Sequence, residues 1–224
     1  PGFGQAGARA PGPLVDQFDT FARSLLDDMG PAVLVGNSLG GNLTVRAALD
    51  PTLPISAAIP VDTAGLGYQP LIESLIGRYS PPSALVSRIP CLDQIAMSRL
   101  GVKFIARSLY ATPTTADLEA AARMATMLGT ERGFASIATE GRAMLREMDG
   151  GFATGEVPPM LVVHGRRDIM IPPSASVRLH RQFPGSELRI LDHCGHCPQL
   201  DDPTLIAELI TDFALRQPQQ GQLR

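Results

Sequence analysis

Val33-Leu34-Val35-Gly36-Asn37-Ser38-Leu39-Gly40-Gly41 decides the reading of this 224-residue chain. An apolar run of strand character, Ala32 to Val35, feeds directly into Gly36-x-Ser38-x-Gly40, and residues 39 to 49 read as a helix closed by Asp50-Pro51. A strand that reverses sharply into a helix forces its turn residue into crowded backbone geometry, which only small neighbours tolerate. Gly36 and Gly40 are expected to give that space, leaving the Ser38 hydroxyl exposed at the carboxyl end of a sheet. The Leu39 amide, opening the next helix, is expected to point toward negative charge developing beside Ser38.

Outward from this turn, the hydrophobic period sets the remaining elements. Leu14, Val15, Phe18, Phe21, Leu25 and Leu26 recur at helical spacing over residues 14 to 29, and Gly30-Pro31 ends that helix. Ile55 to Val61 reads as a strand that closes on Asp62-Thr63-Ala64-Gly65. From about Gly67 to Glu156 no strand-like run occurs, only helical stretches broken by Pro81-Pro82, Pro90 and Gly129. The alternation returns with a strand at 160–164, a helix near 174–183, a strand at 187–191 and a helix at 203–215. Strands alternating with helices imply an α/β fold, a mostly parallel sheet flanked by helices with right-handed crossovers. Residues 1–66 and 157–216 are expected to form its core, 67–156 an inserted helical lid, and the Pro- and Gln-rich residues 217–224 a disordered tail.

Composition narrows the function classes. With 44% hydrophobic and 18% charged residues the chain can fill a core. A net charge of −3 without a Lys/Arg cluster gives no footprint for nucleic acid or an anionic membrane surface. No apolar run approaches the roughly 18 residues of a membrane helix. The expected partner is therefore a small-molecule substrate, with neither nucleic acid nor membrane; oligomeric state is not legible. Cys91, Cys194 and Cys197 are an odd set, which argues against a disulfide framework and for the cytoplasm. His193-Cys194-Gly195-His196-Cys197 invites a zinc reading, but a structural site draws on a second pair of ligands, and Cys91 stands alone. No metal and no cofactor are expected.

A serine hydroxyl needs a base to take its proton during attack. His193 and His196 follow the strand at 187–191, in a loop at the sheet edge where Ser38 also lies. The imidazole in turn needs a carboxylate to fix its tautomer. Asp168, past the strand at 160–164, is expected to supply it, with Asp62 as the competing acid at the end of the earlier strand; Asp192, Asp201 and Asp202 read as solvated or capping carboxylates.

Ser38, Asp168 and His196 stand in the chain order of the α/β-hydrolases, and the chain resembles that superfamily in its lidded form. The resemblance runs from Pro1-Gly2-Phe3-Gly4 through Gly36-Asn37-Ser38-Leu39-Gly40-Gly41 and Gly165-Arg166-Arg167-Asp168 to Gly195-His196-Cys197-Pro198. Val35 to Gly41 and Cys194-Gly195-His196 further resemble the carbon–carbon bond hydrolases of meta-ring-fission products and related esterases. Two differences stand out: Cys197 occupies the position after the histidine where those enzymes typically carry Trp, and Arg78, Arg88, Arg99 and Arg107 are all possible counterparts of their lid arginine. The resemblance implies Ser38 as nucleophile, His196 as base, Asp168 as orienting acid, Leu39 as oxyanion donor and Asn37 as a substrate-binding residue. It implies serine-dependent hydrolysis of a carboxylic ester, with carbon–carbon bond cleavage or a non-catalytic binding module as alternatives. It also places a second oxyanion donor and further strands upstream of Pro1, so the sequence is expected to be truncated at its N-terminus.

Overall fold

The computed structural model describes residues 10–70, 72–73, 92–128, 141–143, 145–148 and 150–217. The Pro1–Gly4 turn, Pro81-Pro82, Pro90, Gly129 and the tail beyond Gln217 lie outside them. Among the described residues, β1 (Ala32–Asn37), β2 (Ile55–Val61), β3 (Leu161–Gly165) and β4 (Glu187–Leu191) form one sheet in that order, every pair parallel. Parallel neighbours need crossovers, and helices supply them. α1 (Leu14–Met29) precedes β1, and α2 (Leu39–Ala48) joins β1 to β2. Between β2 and β3 come α3 (Leu92–Met97), α4 (Arg99–Leu109) and α5 (Thr115–Leu128), which pack on one another. α6 (Ser174–Gln182) joins β3 to β4, and α7 (Pro198–Asp201) and α8 (Pro203–Arg216) follow.

The sheet is covered on both faces, which is why β2 and β3 read as continuous apolar runs. Ala57, Ile59, Val61, Leu161 and Val163 point toward Ile206 and Phe213 of α8. Ala58, Met160 and Val162 point the other way, onto Val45 and Ala48 of α2, Leu179 of α6 and Phe183. Each large side chain buried this way contributes about 1.5–3 kcal/mol relative to exposure. α8 starts where Pro203 follows Asp202, whose side chain accepts from the Leu205 amide at 3.0 Å, an N-cap of the expected kind.

Two expectations need correction. In α1 the buried stripe is Leu14, Val15, Phe18, Ala22 and Leu26, while Phe21 and Leu25 are 48% and 39% exposed. Ala22 and Leu26 pack with Ala47 and Ile55, and Val15 with Ala64, Met148 and Ile171, so Phe21 and Leu25 fall at the margin of the buried face. Met148 is buried against Val15, Ala64 and Ile171, whereas Met97 and Met124 are exposed. At the strand–helix turn, Gly36 is the crowded glycine: a Cβ there would lie 2.1 Å from the Gly40 carbonyl oxygen and 2.6 Å from Thr44 Oγ1. A Cβ on Gly40 would meet nothing within 4 Å among the described residues; Gly41, whose Cβ would sit 2.8 Å from Thr63 Oγ1 and 3.0 Å from the Val61 oxygen, is the one that lets α2 approach β2.

No helix among the described residues is long and apolar enough to cross a membrane. β1 pairs only with β2 among those residues, and Val35 at its centre is exposed.

Candidate active site

All four strands end on one edge, and their next residues form the site. Ser38 follows β1 directly, with φ 56° and ψ −112°, a left-handed conformation that a non-glycine residue adopts only where its surroundings impose it. Those surroundings are visible. The Ser38 amide donates to the Val61 carbonyl at 2.8 Å, and the Ser38 carbonyl accepts from the Asn42 and Ala64 amides at 3.1 Å each. The chain is thus pinned to β2 on one side and committed to α2 on the other, with Ser38 only half-buried. Leu39 is the first residue of α2, so its N–H has no carbonyl a turn earlier within the helix.

Asp168 lies three residues beyond β3 and His196 five beyond β4. His196 Nδ1 donates to Asp168 Oδ2 at 2.7 Å, with His196 6% and Asp168 3% exposed. Asp168 Oδ1 accepts from the Met170 and Ile171 amides at 2.6 and 3.1 Å. Both carboxylate oxygens are therefore used, and His196 is held with Nδ1 toward Asp168 and Nε2 on the other side of the ring. Asn37 links β1 to the His196 loop: its Nδ2 donates to the His196 carbonyl at 2.9 Å and, longer, to the Val61 carbonyl at 3.4 Å. Its Oδ1 accepts from the Cys197 thiol at 3.5 Å. Asn37 ties two strand ends together one residue away from Ser38.

The loop that carries His196 is also clamped from the helical segment. Asp201 accepts from the Gly195 amide at 2.7 Å and from the Ala111 amide at 2.9 and 3.1 Å, and the Cys197 amide donates to the Leu109 carbonyl at 2.9 Å. A Cβ on Gly195 would lie 2.7 Å from the Ala111 nitrogen, so only glycine fits between the loop and the end of α4. Arg107 reaches the loop that carries Asp168, donating to the carbonyls of Arg167 and Tyr110. Asp201 is thus a bridge rather than a solvated or capping carboxylate, since two backbone amides from separate segments converge on it. His193 points away from the site and pairs with Asp202 at 3.0 Å on the surface. Arg78 and Arg88 lie outside the described residues.

The cysteines flanking His196 are buried and unoxidised. Burial pushes the Cys194 thiol up to about 11 and the Cys197 thiol to about 12, so neither is a ready thiolate. Among the described residues the group spaced for a cation is a different one, Asp62, Asp168 and His196, whose ligand atoms lie within 4.8 Å of one another. The 2.7 Å separation of His196 Nδ1 from Asp168 Oδ2 is that of a hydrogen bond; two ligands on one tetrahedral zinc stand about 3.3 Å apart.

Two further buried groups lie close to this pair; the sequence reading missed His164 and weighed Asp62 only as a competing acid. His164 is the penultimate residue of β3, fully buried, with Nδ1 2.8 Å from Ser176 Oγ and Nε2 3.2 Å from the Ile171 carbonyl. Nε2 can only donate to a carbonyl, so Nδ1 accepts from the Ser176 hydroxyl. Burial lowers His164 to about 4, keeping it neutral. Ser176, His164 and the nearby carboxylates of Asp62 and Asp168, 3.3 and 3.7 Å from His164 Nε2, mimic a second triad. It is sealed: Ser176 is 1% exposed in the first turn of α6, where no carbonyl substrate arrives. Asp62 is the second group, at φ 44° just past β2 and fully buried.

Comparison with known proteins places the chain as a whole. Residues 1–209 match the Alpha/beta hydrolase family. The chain belongs to that family. It is 29% identical over 190 residues to a 2-hydroxymuconate semialdehyde hydrolase of Pseudomonas sp. strain CF600, covering 81% of this chain and 61% of that protein. It is 27% identical over 227 residues to a pimeloyl-[acyl-carrier protein] methyl ester esterase of Aromatoleum aromaticum, covering 93% and 83%. In fold it is similar to the 2-hydroxy-6-oxo-6-phenylhexa-2,4-dienoate hydrolase of Rhodococcus sp. strain RHA1, with a TM-score of 0.73 at 18% identity over 96% of this chain and 77% of that one.

Proposed function

We propose that this family member is a serine hydrolase that cleaves carboxylic esters through an acyl-enzyme. The supporting observation is the 2.7 Å Asp168–His196 hydrogen bond, tethered through Asn37 to the strained turn that carries Ser38. Ser38 Oγ attacks the carbonyl carbon while His196 Nε2 takes its proton. Asp168 keeps Nδ1–H in place and offsets the imidazolium charge. The Leu39 amide donates to the oxyanion. Collapse of the tetrahedral adduct expels the alcohol, which receives the proton from His196. Water, deprotonated by the same imidazole, then frees the acid. These steps draw only on protein groups and water. α3 to α5, between β2 and β3, act as the lid, and the Asp201 and Arg107 bonds fasten it to the base and acid loops. Asn37 acts on substrate through the loop it holds.

A second reading, cleavage of a carbon–carbon bond in a vinylogous diketone, is favoured by Asn37 beside Ser38, by Cys194-Gly195-His196, and by a relative named as a 2-hydroxymuconate semialdehyde hydrolase. Turnover of a short-chain aryl ester and of a 2-hydroxy-6-oxo-dienoate, measured on this chain and on it with any upstream residues its gene encodes, separates the two. Ester turnover lost in Ser38→Ala is expected. Turnover of the dienoate alone favours the second reading, and tight ligand binding without turnover of either would make the protein a binding module.

A further inference from the structure

Asp62 is a buried carboxyl group that the proposed reaction does not use. It sits just beyond β2, with its own amide bonded to the Val163 carbonyl at 3.0 Å and a positive φ that turns the side chain toward the end of β3. There its two oxygens have unlike surroundings. Oδ1 accepts from the Gly165 amide at 2.9 Å and lies 3.3 Å from His164 Nε2. Oδ2 is buried and receives a hydrogen bond from no donor among the described residues. An ionised carboxylate with one oxygen buried and bare would bear a heavy desolvation cost. A neutral carboxylic acid fits instead, with Oδ1 as its carbonyl oxygen and Oδ2 as its hydroxyl.

The hydroxyl then needs an acceptor, and the cluster holds one close by: one carboxylate oxygen each of Asp62 and Asp168 and one ring nitrogen of His196 lie within 4.8 Å of one another. Asp168, which takes two amides and the His196 N–H, is arranged wholly as an acceptor. We infer that Asp62 donates a hydrogen bond from Oδ2 to the Asp168 carboxylate, making it a positioning residue for the Asp168–His196 pair. The chemistry around it agrees. Burial, and then the neighbouring charge of Asp168, raise Asp62 well above the usual carboxylate range. Two carboxylates this close in a buried site do not both ionise. The other titratable groups nearby are the neutral His164, the Cys194 and Cys197 thiols, and Asp201; no Lys or Arg among the described residues bridges to Asp62.

The hydrogen bond stands without the hydrolase reading; only its catalytic consequence rests on that reading, so the test has both kinds of readout. An infrared difference spectrum between the protein and Asp62→Asn, taken near neutral pH, should show one neutral carboxylic-acid carbonyl band that the variant lacks. Linkage gives a second measure. A carboxyl whose folded pKa is raised holds its proton when the unfolded chain has released it, so stability falls as pH rises above the unfolded value. Urea unfolding should therefore show the wild type losing ground to Asp62→Asn from about pH 5 to pH 8. In turnover, Asp62→Asn keeps an acceptor for Gly165 and an N–H donor for Asp168, and should stay within about threefold of wild type. Asp62→Leu removes the donor; it should fall about 10- to 100-fold and move the acid limb of kcat/KM upward, because the unshielded Asp168 charge favours the imidazolium. Absence of the carboxylic-acid band would overturn the inference, whatever the activity. So would an Asp62→Asn loss as large as that of Asp168→Asn, which would make Asp62 the orienting acid. Should Asp62→Leu fail to fold, the spectrum and the Asp62→Asn variant still decide.

Discussion

Replacing Asp168 by Asn tests the acid–base pair at the atom that matters. The carboxylate now uses Oδ1 for the Met170 and Ile171 amides and Oδ2 for His196 Nδ1. The backbone amides can only donate, so the side-chain oxygen of the Asp168→Asn variant must stay with them and its NH2 must face His196. Two donors cannot share that 2.7 Å contact, and His196 is driven to the tautomer protonated on Nε2. That tautomer cannot take the Ser38 proton. Where the same swap leaves triad geometry intact, turnover drops by about 10⁴-fold, or about 5.5 kcal/mol of barrier at about 1.4 kcal/mol per tenfold. The fold should survive, because the cap on Met170 and Ile171 is kept. The assay is the steady-state rate on an aryl ester beside urea unfolding of the same preparations, with the fluorophosphonate labelling rate as a second measure. A rate within tenfold of wild type, at unchanged stability, would refute the assignment of Asp168.

Two further outcomes follow from packing and burial. Gly36→Ala places a methyl 2.1 Å from the Gly40 carbonyl oxygen, where backbone must give; about 3 kcal/mol of destabilisation, a melting temperature lower by roughly 6–12 °C, is expected by calorimetry, whereas Gly40→Ala should be mild. His164, lowered by burial to about 4 from 6.5, stays neutral in the fold while the unfolded chain gains a proton below pH 6.5, so its stability contribution is lost as pH falls through that window. Urea unfolding between about pH 7 and pH 4 should show the wild type losing about 3 kcal/mol more than His164→Gln, and parallel slopes for the two would contradict it.

The sequence announced the elements because the signals are local. Apolar runs in β2 and β3, proline and glycine stops, and the Gly-x-Ser-x-Gly turn each act over a few residues. The pairing of Asp168 with His196 was legible for a related reason: each follows a strand, and parallel strands end on one edge. What escaped was set by neighbours distant in the chain. Nothing around Gly40 and Gly41 says which one touches Thr63, and the margin of α1 that leaves Phe21 and Leu25 exposed depends on where α2 lies. Asp201 looks like any helix-end carboxylate until Ala111, 90 residues earlier, is seen donating to it. His164 reads as part of an apolar strand, and Asp62 as a loop acid; only burial on both faces of the sheet makes one a neutral network member and the other a carboxyl without a counter-ion.

The central claim is that Ser38, on a strained turn that Asn37 ties to the His196 loop, is the nucleophile served by the Asp168–His196 pair. The most direct measurement is covalent: incubate the protein, and Ser38→Ala, with a fluorophosphonate and map the adduct by mass spectrometry. One phosphonyl group per chain on Ser38, absent from the variant and much slower in Asp168→Asn, is the predicted result. An adduct on another serine, or equal labelling of Ser38→Ala, would contradict the account.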